Sequence, residues 1–277
     1  MDKTTITLIG AGNMGASLMA GLIRNGFPPQ QLWITDPDTE KLQLLQRQFN
    51  VNTTTDNEDA VNRAEIVILA VKPQIMRTVL QSIAPAIQHK KPCIISVAAG
   101  IREENLQNWA GGHTAIIRCM PNTPALIGAG ASALYANRFV NEKQHALAES
   151  ILRAVGIIVW LENENDMDAV TALSGSGPAY FFRVIEAMQA VGEKLGLSSE
   201  TARLLTLQTA YGAARMALES TESATELRHR VTSPGGTTEA AIQVLEKENI
   251  QEIFAKALDA ACSRSKELAD MAGKEET

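Results

Sequence analysis

Cysteine is scarce in this sequence: Cys93, Cys119 and Cys262 are scattered, odd in number and in no metal-ligand spacing. They are expected as small core residues in a reducing compartment, because a free thiol packs as a modest hydrophobe. No apolar run reaches the roughly 18 residues that would span a bilayer. No block of lysine or arginine offsets the net charge of −6, which argues against general nucleic-acid binding. A signal-peptide pattern is also lacking, since Asp2 and Lys3 lead straight into a strand, so a cytoplasmic location is expected. Histidine is sparse as well. His89, His113, His145 and His229 fall in polar, helix-end or loop contexts and are expected at the solvated surface, so neither a Ser-His-Asp arrangement nor a metal cluster emerges.

What is present suits two domains. At 277 residues, with 45% apolar and 20% charged side chains, the chain can build two sizeable cores. Short β-branched runs recur in the first half: "TTITLI", "LWIT", "EIVILAV", "CIISV" and "AIIRCM". Amphipathic stretches lie between them, over residues 40–49 with Leu42, Leu45 and Phe49 at helical spacing, and over 75–87. This alternation predicts a doubly wound α/β domain, a parallel sheet covered on both faces. "EIVILAV" and "CIISV" carry almost no polar alternation, as central strands do, and "ASALY" and "GIIVWL" extend the sheet to about Leu161.

After "ENENDMDAV" no convincing strand recurs. Helices are predicted over residues 178–195, 199–218, 237–246 and 250–268, with Gly196 ending the first and Ser198 or Ser199 capping the second. Only the tail "MAGKEET" is expected to fray. The division is therefore a sheet domain over residues 1–164 and an all-α domain over 165–277. In "AYFFRVIEAMQAVGEKL" the polar residues Arg183, Glu186, Gln189 and Glu193 make one narrow stripe, leaving apolar surface on more than one side. A small helical domain cannot bury that surface alone, which predicts a homo-oligomer with interlocking C-terminal helices; the alternative is a well-buried central helix in a monomer.

Gly10, Gly12 and Gly15 form G-x-G-x-x-G after the first predicted strand, with Asn13 and Met14 inside the pattern. Gly10 permits the tight turn, Gly12 lets a pyrophosphate approach, and Gly15 brings helix and strand close. The helix N-terminus then offers N–H groups to phosphates. Asp36 lies about 20 residues on, where a carboxylate accepts from an adenosine ribose and repels a 2′-phosphate, favouring NAD(H). The alternative is a solvated Asp that caps the turn "TDPD".

Further loops stand at strand ends, where ligands of such sheets gather. "AVKP" (Ala70, Val71, Lys72, Pro73) ends the third predicted strand and passes under the cofactor, with Lys72 read as structural or as a cofactor contact before a catalytic acid. "SVAAG", with Ala98 and Ala99, ends the fourth, and its small residues let a flat nicotinamide lie close. "MPNTP" ends the fifth, and "LSGSGPAY" leads into the first long C-terminal helix with Pro178 near its first turn. "TSPGGTTEAAIQVLE" sets Ser233, Gly235, Gly236, Thr237 and Thr238 at another helix N-terminus, either an ordinary capped helix or a carboxylate pocket. No confident proton-transfer residue stands among these loops, which suits a hydride acceptor that arrives already activated.

"IGAGNMG", "AVKP", "SVAAG", "IRCMPNTPALIGAG", "LSGSGPAYFF" and "VTSPGGTTEAAIQVLE", in this order, resemble the pyrroline-5-carboxylate reductases, from the first strand to about Leu268. The resemblance implies a Rossmann-type domain and a helical dimerisation domain, with dimers often assembled into decamers. It implies hydride transfer from NAD(P)H to the C=N carbon of 1-pyrroline-5-carboxylate, giving L-proline in the last step of proline synthesis. Carried over, Ser233, Gly236, Thr237 and Thr238 match the loop that holds the substrate carboxylate, and Thr238 the hydroxyl near the ring nitrogen. "AVKP", "SVAAG" and Asn57 match cofactor contacts.

Two departures stand out. Asp36-Pro37 occupies the end of the second strand, where many relatives carry Asn-Arg or Ser/Thr. The family usually favours NADPH, with some members accepting NADH, and phosphate contacts here would come from backbone and hydroxyls such as Thr39. Arg230 stands where some relatives have a polar amide. Two rival readings are a 3-hydroxyacid-dehydrogenase-like oxidoreductase, which would need a catalytic Lys that Lys194 fits poorly, and a non-catalytic dinucleotide-sensing oligomer.

Overall fold

A computed structural model describes residues 4–274. Asp2 and Lys3, read as leading into the first strand, lie outside the described residues, as does the end of the tail beyond Lys274. The chain divides into two compact units, one comprising the residues up to Ser176 together with those from Ala260 onward, the other Gly177–Asp259.

The first unit is built on one sheet. Its strands are β1 (Ile6–Ile9), β2 (Leu32–Thr35), β3 (Asn52–Thr54), β4 (Ile66–Leu69), β5 (Cys93–Ser96), β6 (Ile116–Met120), β7 (Gly130–Ala136) and β8 (Gly156–Trp160), in the order β3-β2-β1-β4-β5-β6-β7-β8. Helices α1 (Asn13–Arg24), α2 (Thr39–Phe49), α3 (Asn57–Arg63), α4 (Pro73–Lys90), α5 (Glu103–Trp109), α6 (Glu142–Arg153) and α7 (Asp166–Val170) follow the strands. β1, β4 and β5 are buried along their whole length. Because successive side chains alternate across a sheet, Ile6, Leu8, Ile66 and Ile68 enter one core while Ile9, Val67, Leu69 and Ile94 enter the other. Two filled faces leave little room for polar side chains, hence the nearly unbroken apolar runs, and the exceptions, Thr7 in β1 and Ser96 in β5, are themselves buried.

The sheet departs from the expected pattern at two places. β3 is an extra strand, three half-buried polar residues, so the runs counted third, fourth and fifth are β4, β5 and β6. β7 runs antiparallel to β6, with Met120 opposite Ala133, and only then does β8 pair parallel to β7. Helices α3, α5 and α7 add to the expected ones and, at seven residues or fewer, are too short to show a helical period; the twelve-residue α6 is a further addition.

Gly177–Asp259 is helical, with α8 (Gly177–Lys194), α9 (Ser199–Glu219), α10 (Ala224–Arg230) and α11 (Thr237–Lys247). Ser198 caps α9 by accepting from the Thr201 N–H at 3.2 Å, and Gly196 ends α8 with φ +99°. Phe181 and Phe182 on α8 are 69% and 65% exposed in the single chain. The last helix, α12 (Ile250–Lys274), continues through Met271–Lys274, where fraying was expected. The segment "LSGS", read as loop, is part of a π turn over Thr171–Gly175, closed by the Ser176 N–H donating to the Thr171 carbonyl at 2.9 Å.

Candidate functional site

β1, β2, β4, β5 and β6 are mutually parallel, so the segments after them emerge along one sheet edge. At about 4.8 Å per strand, the four steps from β2 to β6 cover roughly 19 Å, a span that matches an extended dinucleotide.

The glycine turn follows β1, the second of these five strands along the edge. Gly10 has φ +104° and donates its N–H to the Thr35 carbonyl at 2.8 Å. A methyl group there would sit 2.7 Å from the Ala70 carbonyl oxygen, and one on Gly15 would collide with the Gly10 carbonyl. Gly12 is different, since a methyl on it would meet nothing within 4 Å. α1 starts at Asn13 with Gly12 as its N-cap and no side-chain cap, so the N–H groups of Asn13 and Met14 face an open approach. A backbone cradle of this kind at the positive end of a helix fits a pyrophosphate.

Asp36 is bound into the same turn. Its Oδ2 accepts from the Ala11 N–H at 2.9 Å, its Oδ1 accepts from the Asp38 N–H at 3.0 Å, and Lys41 Nζ lies 3.9 Å away. Its side chain is only 13% exposed, so it is not the freely solvated Asp of the alternative reading, although its bond to the Asp38 N–H does cap the turn "TDPD"; it is not the cap of the helix that follows. That cap is Asp38, which accepts from the Glu40 and Lys41 N–H groups at 3.1 Å. The Lys41 backbone N–H, aided by the Lys41 charge, holds the Asp38 carboxyl below the usual range. Asn57 starts α3, and its Oδ1 accepts from Thr35 Oγ1 at 2.5 Å, placing it beside the ends of β2 and β3.

Ala70 and Val71 follow β4, with the Ala70 N–H donating to the Ile9 carbonyl at 2.8 Å. Lys72 is exposed at the N-cap of α4, makes no side-chain cap bond, and is followed by Pro73 in the first helical turn. Ala98 and Ala99 follow β5 and lead to Gly100, whose φ of +70° turns the chain close to Leu268 of α12. An apolar cavity of about 200 Å³ lies between these two loops and α12, lined by Pro73, Gln74, Ala99, Gly100, Leu268 and Met271 among others. After β6, Asn122 connects the "MPNTP" loop to the π turn through Ser174. Nothing local in the sequence marks Asn122, because its partners lie 9 and 52 residues away.

The other group of expected residues belongs to the helical unit. Ser233-Pro234-Gly235-Gly236 closes a turn with the Gly236 N–H donating to the Ser233 carbonyl at 3.0 Å, and Gly235 has the positive φ, +71°, that a type II turn needs. Thr237 and Thr238 are the first residues of α11, which has no side-chain cap. Glu239 reaches back and accepts from the Gly235 N–H at 2.8 Å, so a carboxylate already rests at this helix start. Arg230 pairs with Glu222.

The histidines divide. His89, His113 and His229 are exposed, but His145 is half-buried and stacked on Trp160 at 3.6 Å between ring centroids, a correction explained by its place on α6 over β8. Trp160 Nε1 donates to Glu149 at 3.1 Å, and the Arg153 guanidinium holds the Glu149 carboxyl low. Cys93 and Cys119 are buried and Cys262 half-buried; burial pushes the first two thiols up to about 12. Among the described residues no group of three His, Cys, Asp or Glu side chains is placed to hold a metal ion, and no helix is long and apolar enough to cross a membrane.

Comparison with known proteins assigns these features to a family. Residues 164–268 match the model described as pyrroline-5-carboxylate reductase dimerisation, and residues 5–100 match NADP oxidoreductase, coenzyme F420-dependent. A pyrroline-5-carboxylate reductase of Pseudomonas aeruginosa is 50% identical over 99% of this chain and 100% of its own length. The solved structure of a pyrroline-5-carboxylate reductase from Coxiella burnetii is 46% identical, with a TM-score of 0.93 over 96% of this chain and 99% of that one. A pyrroline carboxylate reductase from Plasmodium falciparum, solved with NADP bound, is 31% identical, with a TM-score of 0.87 over 97% and 99% of the two chains. With a sheet edge of this geometry and identity of this extent from end to end, the chain belongs to the pyrroline-5-carboxylate reductase family.

Proposed function

We propose that this protein reduces 1-pyrroline-5-carboxylate to L-proline with NADPH, accepting NADH as well, in the last step of proline biosynthesis. The bound nicotinamide supplies the hydride to the C=N carbon. The observation that carries this reading is the open, uncapped start of α1 beside Gly12, in series with the Ala70 and Ala98 segments along one sheet edge, in a chain of this family.

The chain's own residues then orient and stabilise. Gly10, Gly12, Asn13, Met14 and Gly15 cradle the pyrophosphate, with Asp36 and Asn57 toward the adenosine end. Ala70, Val71, Lys72 and Pro73 pass under the cofactor, and Ala98 and Ala99 leave room for a flat ring. Ser233, Gly235, Gly236, Thr237 and Thr238 hold the substrate carboxylate, and the Thr238 hydroxyl assists at the ring nitrogen. A cyclic imine can be protonated before reduction, so positioning does most of the work and no strong acid is needed.

The functional boundary in this reading is residues 1–164 and 165–277, beside the start of the dimerisation match at residue 164. That match supports a homo-oligomer; dimers assembled into decamers in the cytoplasm, with no nucleic-acid or membrane partner, complete the proposal.

The test is loss of NAD(P)H absorbance at 340 nm with pyrroline-5-carboxylate, run with both nucleotides and with Thr238→Ala. Turnover is expected in the wild type, and a larger loss in kcat than in cofactor affinity in the variant. Tight cofactor binding with no turnover would favour the dinucleotide-sensing reading instead, and equal losses would remove Thr238 from the chemistry.

A further inference from the structure

Asn122 occupies the N-cap position of the short 3₁₀ turn Thr123–Ile127, where an Asn side chain ordinarily accepts from the N–H groups ahead of it. It makes no such bond. Its Oδ1 instead accepts from the Ala131 N–H at 2.9 Å, at the start of β7, and its Nδ2 donates to both the carbonyl and the Oγ of Ser174, each at 3.3 Å. One side chain thus joins the end of β6, the start of β7 and the π turn Thr171–Gly175.

Two further observations show that the turn is fitted to this place. A methyl group on Gly175 would collide with Met120 Cε, so the turn lies directly against the last residue of β6. A π turn also interrupts the regular ladder of carbonyl acceptors, and such interruptions gather at functional sites. Here the carbonyl of Ser174 is met from outside, by Asn122. β6 is the strand next to β5, whose trailing Ala98 and Ala99 leave room for the nicotinamide under the proposed function, so the π turn stands one strand further along the same edge.

We propose that Asn122 is a positioning residue for the reduction: by bridging Ala131 and Ser174 it holds the π turn against the end of β6, where the turn walls the imine pocket. This rests on the proposed function for the identity of the pocket, but the bridge itself does not. Asn122 touches no reacting atom in this account. It acts through the Ser174 backbone and hydroxyl.

The test uses the full chain with Asn122→Asp, which keeps an acceptor for the Ala131 N–H and removes the donor to Ser174. Asn122→Ser is the second variant should the first not fold. The expected result is a kcat lowered roughly tenfold to a hundredfold, the scale of a small misplacement near a reacting centre. Cofactor Kd should stay within about twofold, since the glycine turn is untouched, and amide exchange across residues 171–176 should quicken. Ser174→Ala combined with Asn122→Asp should lose less than the product of the two separate losses, because both cut one connection. An unchanged kcat, a Kd weakened in step with kcat, fully multiplicative losses, or exchange at 171–176 equal to that of the wild type would each overturn the proposal. A wild type that consumes no NAD(P)H with pyrroline-5-carboxylate would overturn the proposed function, while the exchange measurement would still decide the bridge.

Discussion

Asp36 Oδ2 accepts the Ala11 N–H at 2.9 Å, so the carboxylate at the end of β2 and the glycine turn at the end of β1 hold each other in place. The negative charge is therefore fixed at the end of β2, where under the proposed function it would face the adenosine ribose and oppose a 2′-phosphate. Asp36→Asn removes the charge and keeps an acceptor for Ala11. The ratio of kcat/KM for NADPH over NADH should rise by about tenfold, and steady-state kinetics with both nucleotides measures it. A ratio that stays put would mean that Asp36 serves the turn alone.

Gly12 and Gly15 should respond in opposite ways. Gly12→Ala adds a methyl to open space, so thermal stability should hold while cofactor Kd weakens by about tenfold or more, because the methyl occupies the phosphate approach. Gly15→Ala forces a methyl into the Gly10 carbonyl and should lower Tm by several degrees or prevent folding. Melting curves beside a cofactor titration separate the two, and a stable Gly15→Ala with normal affinity would contradict the close helix–strand contact.

Burial sets the behaviour of two thiols. Both Cys93 and Cys119 are pushed from 9.0 to about 12, so at pH 9 roughly one in a thousand is thiolate. Neither should react with N-ethylmaleimide in the native protein between pH 7 and 9, and both should react in urea; mass spectrometry of the digests reads this directly. The folded-state value lies above the unfolded one, so the contribution to stability is complete below about pH 9 and is lost as the pH rises toward 12. Tm should accordingly fall on the alkaline side, less steeply in Cys93→Ala with Cys119→Ala.

Phe181 and Phe182 expose 69% and 65% of their surface in the single chain, within the stretch that matches the dimerisation family. Phe181→Glu with Phe182→Glu should shift the sedimentation profile to the monomer and abolish turnover. Retention of the wild-type oligomer would show that this face of α8 lies outside the interface.

The glycine turn was legible in the sequence because its demands are local: Gly10 needs positive φ, Gly15 needs a missing methyl, and both needs are met within a few residues. The buried strands β4 and β5 were legible for a similar reason, since two apolar faces leave a run with no polar gap. β3 was not, because Asn52–Thr54 is polar, half-buried and only three residues long. The reversal at β7 left no mark either, as apolar alternation has no direction and β6 and β7 are joined by a connection in which Gly128 and the two prolines fit either sense. Asp36 was read as a ribose ligand or a turn cap; its bond to Ala11 comes from a fold contact 25 residues apart. Asn122 and the His145–Trp160 stack depend likewise on tertiary neighbours that no spacing rule encodes.

The antiparallel β7 also sets a length. Since β8 runs parallel to β7, the chain leaves the sheet at the edge opposite the glycine turn and must return over residues 161–170 before Ser174 can reach Asn122. Each residue of α-helix turns the chain by about 100°, so one residue more or fewer in α7 would swing Ser174 off its partner. The π turn takes up one extra residue within its wider circuit, which makes it a vernier: it trims the phase of the returning segment without changing the sheet beneath.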